Sequence, residues 1–145
     1  ASGPGAYVRQ VPAPGPVAGV FAGYYHNFLK LTGGTCLAYG CGRQAPNDGQ
    51  LLNGDLAEDT APTPTRMRFA EAAAGGHHTV CRTRSGEVFA CGAGWQGQMG
   101  DGGLAYKNPE PRQVAGLPRI RRLSTGYYHA AALSEEGESH VWGCN

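Results

Sequence analysis

The chain has 145 residues, a formal net charge of +1 and a sequence pI of about 7.9. This length fits one domain, and the balanced charge offers no global field to draw the protein onto nucleic acid or an anionic membrane, so neither is expected as a partner. Charged residues make up only 16%, while 24 glycines and 10 prolines argue for many short strands joined by tight turns and against long helices.

In chain order, strand-like runs are expected to begin near Val8 and Val20. Then comes Gly23-Tyr24-Tyr25-His26, which returns as Gly75-Gly76-His77-His78 and as Gly126-Tyr127-Tyr128-His129, the histidines being 52 and then 51 residues apart. A glycine follows each histidine by eight residues (Gly34, Gly86, Gly137) and another by fourteen (Gly40, Gly92, Gly143), so three anchors hold register through three copies. Each copy predicts a hairpin, with strands from His26, Thr35 and His129 and turns at Gly33-Gly34, Ser85-Gly86 and Glu136-Gly137. The residue before the fourteenth-position glycine, Tyr39, Cys91 or Trp142, is placed in packing between blades. The first copy inserts a few residues around Ala45 to Asp48, and its Gly49-Gln50-Leu51-Leu52-Asn53-Gly54 stands where the second has Gly97 to Gly102. Past that turn-rich stretch, Pro109 and Pro111 lead to a short strand expected near Val114, and alternation predicts another from Arg119 to Ser124. Arg119, Arg121 and Arg122 read as the wet face of that strand and not as a phosphate patch.

About four short strands per copy is the content of a propeller blade. The expected fold class is therefore all-β: a partial β-propeller, a single segment over 1–145 with repeats at about 23–74, 75–125 and 126–145, the last incomplete. Residues 1–22 are assigned to the outer strands of a preceding blade.

The order G-x-x-H, glycine turn, aromatic-Gly pair, G-Q-[LM]-G, then Pro and Val resembles the repeat of the regulator of chromosome condensation family. The second copy carries the resemblance best, through Gly75, His78, Gly86, Gly92, Gly97, Gln98, Met99 and Gly100. The third matches through Val141-Trp142-Gly143-Cys144-Asn145, and the first departs at its insertion. The resemblance implies a seven-bladed ring, of which these repeats supply only part. Because an isolated row of blades would expose broad apolar faces and open edges, the remaining blades are expected from the same longer chain or from another chain.

The residues offer little chemistry. His26, His78 and His129 recur at one position in every copy, whereas a catalytic residue is needed once, so they read as hydrogen-bonding elements of the hairpins. His77 has tyrosines as its counterparts and reads as an exposed variant. His77, His78, Cys81 and Cys91 suggest zinc, but Cys81 and Cys91 fall on opposite arms of one hairpin, and neither a two- nor a three-residue turn sets them directly opposite one another. No G-x-S-x-G motif, phosphate loop or pair of catalytic carboxylates is present. No enzyme activity, metal or cofactor is expected. Cys36, Cys41, Cys81, Cys91 and Cys144 form an odd set that cannot all pair within one chain, which favours an intracellular, reducing compartment. No run approaches the roughly 20 apolar residues of a membrane span.

A propeller presents binding residues on the loops at the ends of its blades. The unusual loops here are Arg43 to Asp59 and the Trp95 stretch with Tyr106-Lys107, each starting just after a fourteenth-position glycine and so expected on one rim. The candidate partner-binding residues are Arg43, Asp55, Asp59, Trp95, Gln96 and Tyr106, with Trp95 alternatively packing on its own blade. The expected function is a non-catalytic scaffold for protein partners, within a large complex or on a small GTPase. The alternative that the resemblance implies is guanine-nucleotide exchange on a small GTPase, for which an acidic loop such as Asp55 to Asp59 would be the sign.

Overall fold

The computed structural model describes residues 8, 10–40, 47–57 and 61–144, and among these there is no helix. The first sheet contains β1 (Val17–Ala22), β2 (His26–Leu31), β3 (Cys36–Gly40) and β4 (Thr63–Pro64) in sequence order, all antiparallel. The second repeats this order with β5 (Glu71–Ala74), β6 (His78–Arg82), β7 (Val88–Ala93) and β8 (Lys107–Gln113). The third holds β9 (Ile120–Thr125), β10 (His129–Ser134) and β11 (Ser139–Gly143). The chain is an all-β stack of propeller blades, as its repeats require.

One turn design explains the spacing of the hairpins. In each, the strand ends exchange a bond across three intervening residues: Leu31 N donates to Thr35 O at 2.8 Å, Thr83 N to Glu87 O at 2.9 Å, and Ser134 N to Glu138 O at 2.8 Å. Within each, the glycine amide returns to the carbonyl three residues back, for example Gly86 N to Thr83 O at 3.1 Å, and Gly86 has φ +86°. That is a type I turn closed by a left-handed glycine. The three-residue alternative therefore holds, with Cys81 opposite Phe89 and Cys91 opposite Thr79 on the same face.

Several boundaries differ from expectation. Val17–Ala22 pairs with β2, so it is the first strand of the same blade and not an outer strand of a preceding one. Repeats counted from G-x-x-H therefore run out of phase with the sheets, because the motif lies in the turn between a blade's first two strands. Val8 is in no strand and is fully exposed. The strand expected near Val114 instead ends at Gln113 and includes Pro109 and Pro111. Those prolines are tolerated because β8 is the edge of its sheet, where a missing N–H costs no ladder bond on the open side.

Two cores join the blades. Phe28, Cys36 and Ala38 meet Leu51, Leu52, Phe69, Cys81 and Cys91 between the first two sheets, and Val80, Val88, Ala90 and Met99 meet Ile120, Ala130 and Ala132 between the second and third. Cys91 and Trp142 lie in these packings, and Trp142 Nε1 donates to Gln98 O of the neighbouring blade at 2.9 Å. Leu29, Leu31 and Leu37 form the other face of the first blade and are met by Val11 and Ala13.

The G-Q-[LM]-G turns match in detail. Gln50 and Gln98 are both fully buried, and each side-chain oxygen accepts from the amide two residues earlier, Asp48 N at 2.6 Å and Gln96 N at 2.8 Å. Leu52 occupies φ +57° where Gly100 has φ +62°, a strained backbone whose cost of about 1 kcal/mol is offset by burying its side chain in the core.

Candidate functional site

The G-x-x-H turns and the loops after the fourteenth-position glycines emerge at the same end of every sheet, because an odd number of strand reversals separates that end from the hairpin turns. The aromatic rings of three blades meet there. Trp95 stacks on Tyr106 with centroids 4.7 Å apart and planes inclined by 16°. It also reaches Tyr128 at 6.0 Å and His77 at 6.5 Å. Tyr127 adjoins Tyr128 at 4.5 Å, Tyr24 at 4.9 Å and His77 at 5.8 Å, and Tyr25 lies 5.5 Å from His77. Four of these rings remain open to solvent, Tyr24 at 60%, Tyr106 at 53%, Tyr25 at 38% and Tyr128 at 37% exposed.

A polar thread runs beneath the rings. The Asp48 side chain is 2% exposed, with Oδ2 3.3 Å from His77 Nδ1 and Oδ1 3.6 Å from Lys107 Nζ. The other nitrogen of His77, Nε2, is 3.2 Å from the Tyr127 hydroxyl. The Tyr127 phenol is pushed up to about 12, first by its hydrogen bond with Tyr25 and then by desolvation. Asn108 N donates to Asp48 O at 3.3 Å, which fixes the first blade's long loop onto the second blade. At the same end of the blades, Gly76 N donates to Tyr127 O at 3.0 Å and ties the second blade to the third.

Behind this surface His26 and His78 are buried and structural, while His129 of the third blade is exposed. Each G-x-x-H turn is closed by its glycine amide donating to its histidine carbonyl, at 3.0, 2.9 and 3.0 Å along the chain. His26 Nε2 lies 2.6 Å from Thr79 Oγ1, which donates to Gln50 O at 2.8 Å. Burial, above all, lowers His26 from 6.5 to about 3 and His78 to about 4, and the rings lean on the backbone of the next blade's histidine, His78 and His129 respectively. The His26–Thr79 pair has the elements of a base and a nucleophile, but both residues are completely buried and no substrate reaches them.

Of the residues singled out from sequence, Trp95 and Tyr106 are brought together in the cluster, and Gln96 is exposed beside them with its amide bonded to Gln98 Oε1 at 2.8 Å. Asp55 is exposed in its own loop, where Oδ1 accepts from Ala57 N at 3.0 Å and the backbone oxygen accepts from Asn47 Nδ2 at 3.4 Å. Arg43 and Asp59 lie outside the described residues. Sequence reasoning passed over His77, which is not an exposed variant: its side chain is 18% exposed and sits between Asp48 and Tyr127. It also passed over the tyrosine pairs of the G-x-x-H turns. The signal was present, since those two central positions are aromatic or histidine in five of six cases.

Comparison with known proteins agrees with this architecture. The profile of the regulator of chromosome condensation (RCC1) repeat matches residues 85–133, a window that opens in the second blade's hairpin and closes in β10. The ultraviolet-B receptor UVR8 of Arabidopsis thaliana is 34% identical over 140 residues, covering 91% of this chain and 30% of the receptor. The X-linked retinitis pigmentosa GTPase regulator homolog of Caenorhabditis elegans is 30% identical over 147 residues, 97% of this chain and 10% of that protein. The crystal structure of Prp20p from Saccharomyces cerevisiae superposes with a TM-score of 0.77 at 21% identity, over 88% of this chain and 33% of Prp20p, a likeness of fold. The chain thus spans about a third or less of each of these proteins. It carries repeats of the regulator of chromosome condensation family, folded as consecutive propeller blades.

Proposed function

We propose that the chain is a non-catalytic scaffold that binds a protein partner through the aromatic end of its blades. One observation carries the reading: rings from three blades converge on a single surface, and four of them remain exposed to solvent. Tyr and Trp are favoured interface anchors because they offer wide, rigid contact area and a polar tip at low conformational cost. Trp95 and Tyr106 form a stacked pair within this surface, with Gln96 exposed beside them. Asp55 is exposed in the loop that follows the first blade's third strand, and the sequence candidates Arg43 and Asp59 are carried in the same proposal.

Trp95→Ala is expected to weaken partner binding about thirtyfold, equivalent to about 2 kcal/mol, with Tyr106→Ala acting in the same direction. Calorimetric titration of the purified complex partners measures this. Unchanged affinity in both variants would remove the site.

Nucleotide exchange on a small GTPase is the second reading. It is favoured by a relative named as a GTPase regulator and by the Prp20p structure, which is described with binding properties to Gsp1p and histones. Release of a fluorescent GDP analogue from a small GTPase, accelerated by the wild-type protein and not by Trp95→Ala, would establish it at this surface.

A further inference from the structure

The opposite end of the stack carries a different feature. Where the hairpin turn of the first blade faces the second blade, a cavity of about 390 Å³ is lined by Lys30, Thr32, Gly33, Gly34, Arg68 and Arg84. The Arg68 guanidinium lies over Gly34, where an added Cβ would come within 3.1 Å of Nη1. Among the described residues none of these three cations is in an ion pair.

The next junction of the same chain shows what is unusual here. Arg82 follows His78 by four residues as Lys30 follows His26, but Arg82 Nε is 2.7 Å from Glu71 Oε2 on the adjacent strand, whereas Lys30 pairs across the ladder with Gly19. Arg119 precedes His129 by ten residues as Arg68 precedes His78. Arg119 lies 3.8 Å from Glu135 Oε2 and donates to Ser85 O at 3.0 Å, while the counterpart of Glu135 in the first junction is Arg84. Both acids that neutralise the second junction are thus missing from the first, replaced by a glycine and a further arginine. Three like charges around one cavity repel each other, and a bound anion reverses the sign of that interaction. Burial raises the pKa of the nearby Cys36 thiol, and a hydrogen bond with the Phe69 backbone and then the charges of Lys30 and Arg68 act against that rise.

We propose that this cavity is a phosphate-monoester site that holds a phosphorylated side chain of a protein partner. Two guanidinium forks and an ammonium match the charge and tetrahedral oxygens of a phosphate dianion, and Thr32 lines the same cavity. A nucleic-acid backbone would need a continuous basic track, and the neutralised second junction interrupts one. The site is at the far end of the blades from the aromatic surface, so either assignment can fail without the other.

The test is calorimetric titration of the full protein with a phosphoserine heptapeptide, its unphosphorylated form, inorganic phosphate and a single-stranded DNA dodecamer. The phosphopeptide is expected to bind saturably, and phosphate to compete with it. Arg84→Glu, which installs the acid found at the next junction, should weaken binding at least tenfold, Lys30→Gln should weaken it in the same direction, and Arg119→Ala should leave it unchanged. Equal binding of the two peptides, DNA binding tighter than the phosphopeptide, or full affinity in both Arg84→Glu and Lys30→Gln would overturn the proposal.

Discussion

Between about pH 6 and pH 4 the fold is expected to lose stability steeply, because two histidines are buried in their neutral form. The pKa of His26 falls from 6.5 to about 3 and that of His78 to about 4, in both cases chiefly by desolvation. In the unfolded chain both take up protons as the pH drops below 6.5, while in the folded chain they do not. The unfolded state therefore binds more protons in this window, and stability rises with pH. It is fully present above pH 7 and is lost as the pH falls toward 4. Each such histidine contributes a slope of about 1.4 kcal/mol per pH unit, so the pair approaches about 3 kcal/mol per unit. Urea denaturation at half-unit intervals from pH 7.5 to pH 4 measures this slope, and His78→Gln should reduce it by about half. A flat profile would mean that the rings carry protons in the folded state.

Gly92→Ala is expected to be nearly as damaging. An added Cβ would sit 2.4 Å from His77 O and 2.8 Å from His78 Cα, at φ +102°. The same carbonyl accepts from Ala93 N at 2.7 Å, so the strands cannot separate without losing a ladder bond. A loss of about 3 kcal/mol or more is expected, made of backbone strain and overpacking. Gly137→Ala is the matched control: its φ is +91°, but nothing lies within 4 Å of the added carbon, so only the conformational cost of about 1 kcal/mol applies. Denaturation midpoints of the two variants separate the terms, and equal losses would show that the close approach is unimportant.

These two positions also show why so much of the fold was legible in the sequence. The interval of fourteen residues between histidine and glycine is the register of a hairpin with a three-residue turn, in which His78 faces Gly92 directly. The interval of three between glycine and histidine is a hydrogen-bonded turn. Both are local backbone constraints, and local constraints survive in a single sequence. The blade boundary was not legible, because G-x-x-H marks a turn inside the sheet and nothing local distinguishes Val17–Ala22 from a strand of the preceding blade. The strand with Pro109 and Pro111 was misplaced for a related reason, since its tolerance of proline depends on its being an edge.

The candidate site was legible only where a residue was unusual by itself, as Trp95 was. His77 was dismissed because it broke the repeat, yet its place depends on Asp48 from the preceding blade and Tyr127 from the following one, separated in sequence by 29 and 50 residues. Likewise, the cations of the opposite cavity stand out only when Lys30 is compared with Arg82 and Arg84 with Glu135, after the sheets have fixed which positions correspond.

The central claim is that recognition lies on the exposed aromatic end while the buried His26 and His78 hold the blades together. The most direct measurement is the melting temperature and the affinity for a captured partner in Trp95→Ala and His78→Ala, determined side by side in the full protein. His78→Ala empties a fully buried site against which Gly75 is packed and should cost about 2 to 4 kcal/mol of stability, with affinity retained in the folded fraction. Trp95→Ala should keep its melting temperature within a few degrees and lose the partner. The reverse pattern, a severely lowered melting temperature for Trp95→Ala and lost binding by a normally folded His78→Ala protein, would contradict the account.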